Sequence, residues 1–182
     1  MWQSSEEHSK LIGPQHRFGK KRTLMTKVNL PDDLPDNLPP WVEGHVRIYV
    51  ESAGAAGHLW DSSVVPGGLG PIPTLLLMAV GRHSGIIRPL PLIYAKTGAD
   101  YVIAASKGGR PRHPAWYLNL LANPEVEIWV ATERLVTKAR TAVGEEREAL
   151  WAQMVAIYPP YVDYQAKTDR VIPVVVLERL NT

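Results

Sequence analysis

The hydrophobic pattern divides the chain near residue 40. Residues 1–40 contain Lys20, Lys21 and Arg22, followed by NLPDDLPDNLPP, in which prolines and aspartates oppose regular structure. We interpret this segment as a flexible, solvated arm, with peripheral membrane contact through its basic cluster as the alternative. The longer apolar runs all follow it, so residues 41–182 are predicted to form a single domain.

Strands dominate the predicted domain. TLLLMAV (74–80) is a continuous apolar run, as expected for a strand buried on both faces, and strand patterning begins at Thr74. The prolines of IRPLPLIYA (87–95) indicate an edge strand or a bulge. YVIAA (101–105), two strands joined by a turn at Thr132–Arg134, and IPVVVLERL (172–180) complete a set of six.

Three segments between these strands have the spacing of apolar residues expected of helices. HPAWYLNLLANP (113–124) begins with a proline suited to a first helical turn and ends at Asn-Pro. GEEREALWAQMVAIY (144–158) has acids in its first turn and an apolar face, and YVDYQAKT (161–168) follows Pro159-Pro160. A further short helix is predicted over 41–50. Strands joined by short turns favour antiparallel pairing, which predicts an α+β fold: a small, mainly antiparallel barrel with flanking helices.

Composition narrows the class of protein. The 182 residues carry a net charge of only +2 and no cysteine, which excludes disulfides and thiolate metal sites. No apolar run is long enough to span a bilayer, and the N-terminus lacks the pattern of a secretory signal. We therefore expect a cytoplasmic protein, membrane-associated only if the arm binds lipid.

Positive charge is concentrated in one region. Between Arg82 and Arg112, six basic residues accompany a single acid, Asp100, and glycines 81, 85, 108 and 109 lie among them. Backbone amides exposed by glycine, together with guanidinium groups, bind phosphates and carboxylates. The predicted helix at 113–124 adds its positive N-terminal end to the same region. This combination favours an anion site over a solvated basic surface.

Other chemistries find little support. The six histidines show neither an HExxH motif nor short metal-ligand spacing, so no metal site is predicted. GRHSG and SKGG lack the ending of a Walker loop, no GxSxG elbow is present, and GGRPRHP lies between a strand and a helix, so we expect no nucleic-acid partner. A chain without an evident nucleophile or base is typical of an enzyme whose bound cofactor carries the reaction.

The segment YPPYVDY gathers three phenols. Tyr161 and Tyr164 are three residues apart and share a helix face, while Tyr158 ends the preceding helix. Such tyrosines are equally typical of a core rim and of a pocket wall that stacks on a flat substrate. Spacing alone leaves both interpretations open.

Three segments resemble the deazaflavin-dependent nitroreductase family of actinobacteria: LLLMAVGRHSGIIRPLPLIY, VIAASKGGRPRHPAWYLNLLANPEVE and EREALWAQMVAIYPPYVDYQAKTDRVIPVVVLER. The resemblance covers residues 46–179. It implies a split β-barrel like that of flavin-nucleotide oxidases, often a homodimer. It also implies an oxidoreductase that uses reduced coenzyme F420 to transfer a hydride to quinones, nitroaromatics or other electron-poor small molecules.

The same resemblance implies site residues. The cofactor would be bound by Arg82, His83, Ser84, Arg88, Pro89, Leu90, Ala104, Ala105, Ser106, Lys107, Ala115, Trp116, Tyr117, Leu118 and Asn119. Catalysis and acceptor binding would involve Ser106, Trp116, Tyr158, Tyr161 and Tyr164.

Two departures from the family pattern bear on these expectations. His83 stands where relatives usually carry lysine, so binding of the acidic tail is expected to weaken as pH rises through a histidine pKa of about 6.5. The arm and the loop DSSVVPGGLGPIP are longer than the motifs require and would reshape the acceptor pocket. The alternatives are a low-turnover F420-binding carrier and an enzyme that uses flavin mononucleotide on the same fold.

Overall fold

The computed structural model describes residues 40–180, so the predicted arm (1–40), with its basic cluster, lies outside them except for Pro40. The helices are α1 (Pro40–Glu51), α2 (Ala115–Ala122), α3 (Gly144–Ile157) and α4 (Tyr161–Ala166). The strands are β1 (Leu59–Asp61), β2 (Pro71–Val80), β3 (Ile87–Thr97), β4 (Asp100–Ala104), β5 (Glu125–Val130), β6 (Glu133–Thr141) and β7 (Val174–Arg179). Short 3₁₀ turns follow β1 (Ser62–Val64) and β4 (Lys107–Gly109).

Six of the strands close into an antiparallel barrel. The order is β2-β3-β4-β7-β6-β5, and a pairing between β5 and β2 completes the circle. Because closure leaves few free edges, the sheet has little tendency to pair with other chains. The predicted α+β class, with a six-stranded antiparallel barrel and flanking helices, is confirmed.

Burial on both faces explains the continuous apolar runs. Alternate residues of β2 point inward, where Leu75 and Leu77 join the barrel core, while Leu76 and Met78 pack outside against Val46 and other residues near α1. The same division holds for β4 and β7, whose outer residues lie under α3 and α4. A strand covered on both sides needs no polar alternation.

The structure corrects four details of the sequence interpretation. A seventh, three-residue strand, β1, pairs with β2 and lies in the loop that was predicted to have no strand. β2 begins at Pro71 rather than Thr74, because its first residues pair with β1. The β5–β6 turn is centred on Ala131 and Thr132, since Val130 pairs with Glu133. β3 is not an edge strand, because it pairs with both β2 and β4.

The prolines of β3 nevertheless mark a real opening. β3 pairs with β2 along Ile87–Ile93, whereas its pairing with β4 ends at Tyr94 and Ile103. One side of the segment containing Pro89 and Pro91 therefore has no strand beside it, a position that a residue without an N–H tolerates. The two strands separate here, and the candidate site occupies the gap.

The helices cover the outer faces of the barrel. α3 and α4 pack on the outer faces of β4 and β7, and α1 packs near β2 and β5. Within residues 40–180, no helix combines the length and apolar character that a bilayer span requires.

Candidate functional site

A cavity of about 640 Å³ opens where β3 and β4 separate. Its walls come from α1, β1, β3, the loop after β4, the start of α2, and the α3–α4 junction. Most of the lining is apolar, and polar groups gather at the loop and at the tyrosines. This arrangement, an apolar cleft with a few converging polar groups, is typical of a small-molecule site.

The loop after β4 presents backbone amides to an anion. Ser106 has right-handed helical dihedrals, and Lys107, Gly108 and Gly109 follow with φ of 50°, 63° and 77°. When the backbone changes from right-handed to left-handed helical dihedrals in this way, successive N–H groups point into one concave site that can bind an anion. The N–H groups of Ser106, Lys107 and Gly108 donate no hydrogen bond to any other residue in 40–180. They are therefore available to a bound phosphate, carboxylate or polarised carbonyl.

Cationic side chains accompany these amides. Lys107 and Arg110 are exposed, and both contribute to the cavity wall. Pro114, immediately before α2, also lines the cavity, which brings the positive end of that helix close to it. The predicted anion site thus has a structural counterpart at this loop.

Glycine packing joins this loop to the tyrosine helix. A Cβ on Gly109 would lie 2.4 Å from the backbone oxygen of Tyr164, and the backbone of Gly109 is left-handed. Only glycine meets both requirements without strain. The loop after β4 therefore packs directly against α4.

An aromatic wall forms another part of the cavity lining. Trp41 on α1 stacks on Trp60 of β1 with ring centroids 5.5 Å apart, and Trp60 lies 6.2 Å from the ring of Tyr158. Trp41 remains 58% exposed, so the wall extends from the cavity interior to its mouth. Flat aromatic ligands stack on such surfaces.

The three tyrosines of YPPYVDY all line the cavity. The Tyr158 and Tyr164 hydroxyls lie 3.1 Å apart, and the ring of Tyr161 packs edge-on against both. Tyr161 is only 4% exposed, yet its hydroxyl has no hydrogen-bond partner within the described part of the chain. Because Tyr161 lines the cavity, this hydroxyl is available to donate a hydrogen bond to a ligand atom.

Burial controls the ionisation of these phenols. It raises the pKa of Tyr158, and the hydrogen bond with Tyr164 adds to the increase. Burial likewise raises the pKa of Tyr161, with smaller contributions from Tyr158 and Tyr164. Both groups therefore stay protonated at neutral pH, and each keeps a proton that it can donate in a hydrogen bond.

A histidine also lies on the wall, although the sequence suggested no base. His45 Nε2 is 2.5 Å from the carbonyl oxygen of Gly57 and 3.4 Å from Thr74 Oγ1. Because a carbonyl only accepts, Nε2 carries the proton in the neutral ring. His45 Nδ1 has no partner among residues 40–180.

The structure brings eight of the sequence-predicted site residues together. All eight line this cavity: Leu90, Ala104, Ser106, Lys107, Trp116, Tyr158, Tyr161 and Tyr164.

The remaining predicted residues lie around the cavity rather than on its wall. Arg82, His83 and Ser84 are exposed in the turn between β2 and β3. The Asn119 side-chain oxygen accepts hydrogen bonds from the Arg82 backbone N–H at 3.2 Å and from its guanidinium at 3.0 Å. The turn is thereby fixed to α2.

The others have mixed environments. Tyr117 packs in the barrel core, and its hydroxyl is 3.0 Å from Thr141 Oγ1, away from the cavity wall. Pro89 and Ala105 are buried, Arg88 and Leu118 are half-buried, and Ala115 is exposed.

Sequence reasoning missed part of the wall. Trp41 and His45 are four residues apart and share a face of α1, so the helical spacing could have identified them. Trp60 and Thr74 gave no such signal, because only the tertiary fold brings them to the cavity, whereas Arg110 belongs to the basic cluster that the sequence indicated. No group of three metal-ligating side chains occurs in the described range.

Comparisons with known proteins identify the family. Residues 41–179 match the family model described as F420H(2)-dependent quinone reductase. An F420H(2)-dependent quinone reductase of Mycobacterium tuberculosis is 40% identical, over 76% of this chain and 96% of that protein.

Two solved structures are similar as well. An F420-H2 dependent reductase, FDR-A, is 45% identical with a TM-score of 0.55, covering 58% of this chain and 94% of that one. A structure described as a domain-swapped dimer is 38% identical with a TM-score of 0.58, covering 76% and 97%. The chain belongs to the F420H(2)-dependent quinone reductase family.

Proposed function

We propose that this protein is an oxidoreductase that uses reduced coenzyme F420 to reduce a quinone. The observation that supports the proposal is the cavity itself, whose lining combines the loop after β4, with its free amides, and an aromatic wall with hydroxyl groups that have no partner in residues 40–180. Family membership gives the identity of the cofactor and the acceptor class.

The residues present suit this cofactor. Coenzyme F420 carries a phosphodiester and several carboxylates, and the amides of Ser106, Lys107 and Gly108 offer three donors beside two cationic side chains. Leu90, Ala104 and Trp116 provide apolar surface for its ring system. When bound in its reduced form, coenzyme F420 supplies the hydride.

The exposed turn at Arg82, His83 and Ser84 would bind the acidic tail further out. It is linked through Asn119 to α2, the helix that also carries Trp116. A tail bound at this turn would therefore be held at a fixed distance from the ring site.

The acceptor would lie between the cofactor and the tyrosines. Trp60 and Tyr158 offer flat surfaces for a quinone ring, and the hydroxyls of Tyr158, Tyr161 and Ser106 offer donors to its oxygen. Donors fixed in advance stabilise the negative charge that develops on that oxygen as hydride arrives. Hydride transfer requires reacting atoms about 3.5 Å apart, and the enclosing wall would restrict the acceptor to positions close to the cofactor.

The proton that completes the reduction comes from water in this scheme. Tyr158 and Tyr161 have raised pKa values, so they hold the developing oxyanion without giving up their protons. Nitroaromatics and other electron-poor acceptors would use the same donors, because their oxygens also gain charge.

The proposal also includes a homodimer and peripheral contact with a membrane. A homodimer is supported by the similarity to a structure described as a domain-swapped dimer. Peripheral membrane contact would be made by the arm of residues 1–40, whose basic cluster lies outside the described residues, and stays a prediction of the sequence.

A binding and turnover assay tests the function. The protein is titrated with coenzyme F420 and, separately, with flavin mononucleotide, and reduced F420 is then mixed with menadione. F420 binding with oxidation of the reduced cofactor is the expected result. Binding without turnover would indicate a carrier, and binding of flavin mononucleotide alone would overturn the proposal in favour of a flavin enzyme.

A further inference from the structure

Arg170 binds the loop after β4 from outside the cavity. It lies between α4 and β7, and its guanidinium donates to the backbone oxygens of Ala105 (3.1 Å), Ser106 (2.6 Å) and Arg110 (2.9 Å). Its Nη1 also lies 3.2 Å from His113 Nδ1. One side chain thus contacts both ends of the segment 105–113, some sixty residues earlier in the chain.

These contacts orient the loop as well as anchoring it. A guanidinium has five N–H donors in a rigid planar fork, and Arg170 directs them at three carbonyls and one imidazole. The carbonyl oxygens of Ala105 and Ser106 both point toward the Arg170 guanidinium. The following N–H groups, which lack partners in the described chain, are left for a ligand.

The loop needs such an anchor. Lys107 has φ of 50°, a left-handed conformation that a residue with a Cβ rarely adopts, and two left-handed glycines follow. Hydrogen bonds within the loop are few and long: Gly109 N–H to Ser106 at 3.1 Å and Arg110 N–H to Lys107 at 3.3 Å. The hydrogen bonds from Arg170 therefore stabilise a strained backbone that the loop's own bonds support only weakly.

We propose that Arg170 is a positioning residue that holds the Ser106–Arg110 loop in its anion-binding conformation. This inference rests on the proposed function, since it assigns Arg170 to the loop that binds the cofactor. Arg170 does not line the cavity, so it acts through the loop and touches neither the cofactor nor the acceptor. It is partly buried, and burial lowers its pKa from a very high ordinary value, which leaves it charged at neutral pH.

Two substitutions separate this role from a general loss of stability. Arg170→Met removes every donor, and Arg170→Lys keeps the charge but cannot span three carbonyls and an imidazole with one ammonium group. We expect Arg170→Met to raise the Kd for coenzyme F420 by about tenfold or more. Arg170→Lys should recover only part of that loss, and kcat at saturating F420 should change much less than Kd in both.

Arg140→Met is the matched control. Arg140 is also an arginine with several bonds, to Glu146 and Glu178, but it lies on β6 and does not line the cavity. Its loss should lower the melting temperature while leaving the Kd for F420 unchanged. If Arg170→Met does not fold, Arg170→Lys decides: a folded Arg170→Lys with wild-type Kd overturns the proposal.

Hydrogen exchange gives a readout that does not depend on the cofactor. The amides of Gly109 and Arg110 should lose protection in the Arg170 variants, while the barrel amides keep theirs. If the wild-type protein fails to bind F420, the proposed function fails, and exchange alone judges the role of Arg170. Unchanged protection at Gly109 and Arg110 would overturn it; loss confined to this loop would support it.

Discussion

The hydroxyl oxygens of Tyr158 and Tyr164 lie 3.1 Å apart across the junction of α3 and α4. One donates to the other, so one phenolic proton of the pair is left to point toward a ligand. Tyr161, packed between their rings, adds a second hydroxyl without a partner in residues 40–180. This pairing makes the tyrosines a set of fixed donors.

Tyr158→Phe should therefore lower turnover and leave cofactor binding nearly intact. Loss of one hydrogen bond to the acceptor oxygen removes about 1 kcal/mol or more, equivalent to a roughly fivefold or greater decrease in kcat. Steady-state kinetics with menadione and an F420 titration measure the two effects. Tyr94→Phe, which removes a hydroxyl outside the cavity wall, is the control. Equal losses in both variants would contradict the assignment.

Lys107 and Arg110 should dominate the electrostatic part of cofactor binding. Replacing both with alanine is expected to raise the Kd for F420 by about tenfold or more and to flatten its dependence on salt. Titrations at low and high ionic strength give both quantities. Lys138→Ala removes an exposed charge outside the cavity and should change neither. An unaltered salt dependence in the double variant would place the anion site elsewhere.

Arg82→Ala offers a separate test of the acidic-tail site. Its guanidinium is already bonded to Asn119, so a smaller loss of affinity is expected than for Lys107→Ala. F420 species with shorter and longer glutamate tails distinguish the two variants. Arg82→Ala should raise the Kd more for the species with the longer tail. Identical effects on both species would indicate that the turn only supports α2.

Gly109→Ala should damage both stability and binding. The new Cβ would meet the Tyr164 backbone oxygen at 2.4 Å, in addition to the cost of about 1–2 kcal/mol for a left-handed alanine. Gly98→Ala has the same backbone cost, with φ of 59°, but open space around the Cβ. Thermal unfolding should show a larger decrease for Gly109→Ala, and only that variant should bind F420 more weakly. Matching melting temperatures would refute the packing argument.

Acid should weaken cofactor binding through His113. Arg170 faces its Nδ1 and the ring of Tyr117 packs against it; burial and then the Arg170 charge lower the His113 pKa. A histidine whose folded pKa is depressed contributes stability that is fully present above the unfolded pKa of about 6.5 and is lost as pH falls through the folded pKa. Protonation also breaks the contact with Arg170.

His113→Asn keeps an acceptor near that position but cannot be protonated. The wild-type Kd for F420 should therefore rise more steeply than that of the variant when pH is lowered from 7 to 5. His58→Asn, at a histidine outside the cavity wall, should retain the wild-type pH profile. A His113→Asn profile that superimposes on the wild type would exclude His113 as the titrating group.

Local sequence determined most of the elements and the chemistry of the loop. Apolar runs predicted β2, β4 and β7 because these strands are buried on two faces, and Lys107-Gly108-Gly109 indicated an anion site because glycine permits left-handed backbone. Family motifs then implied Ser106, Trp116 and the tyrosines, which the structure places on one cavity.

Long-range packing decided the rest. β1 is too short to carry a pattern and exists only because β2 offers it an edge; the cavity depends on where β3 and β4 stop pairing. Trp60 reaches the wall, and Arg170 reaches the loop, through contacts between residues far apart in the chain. Neither spacing nor composition encodes such contacts, because they arise from the closure of the barrel rather than from local propensity.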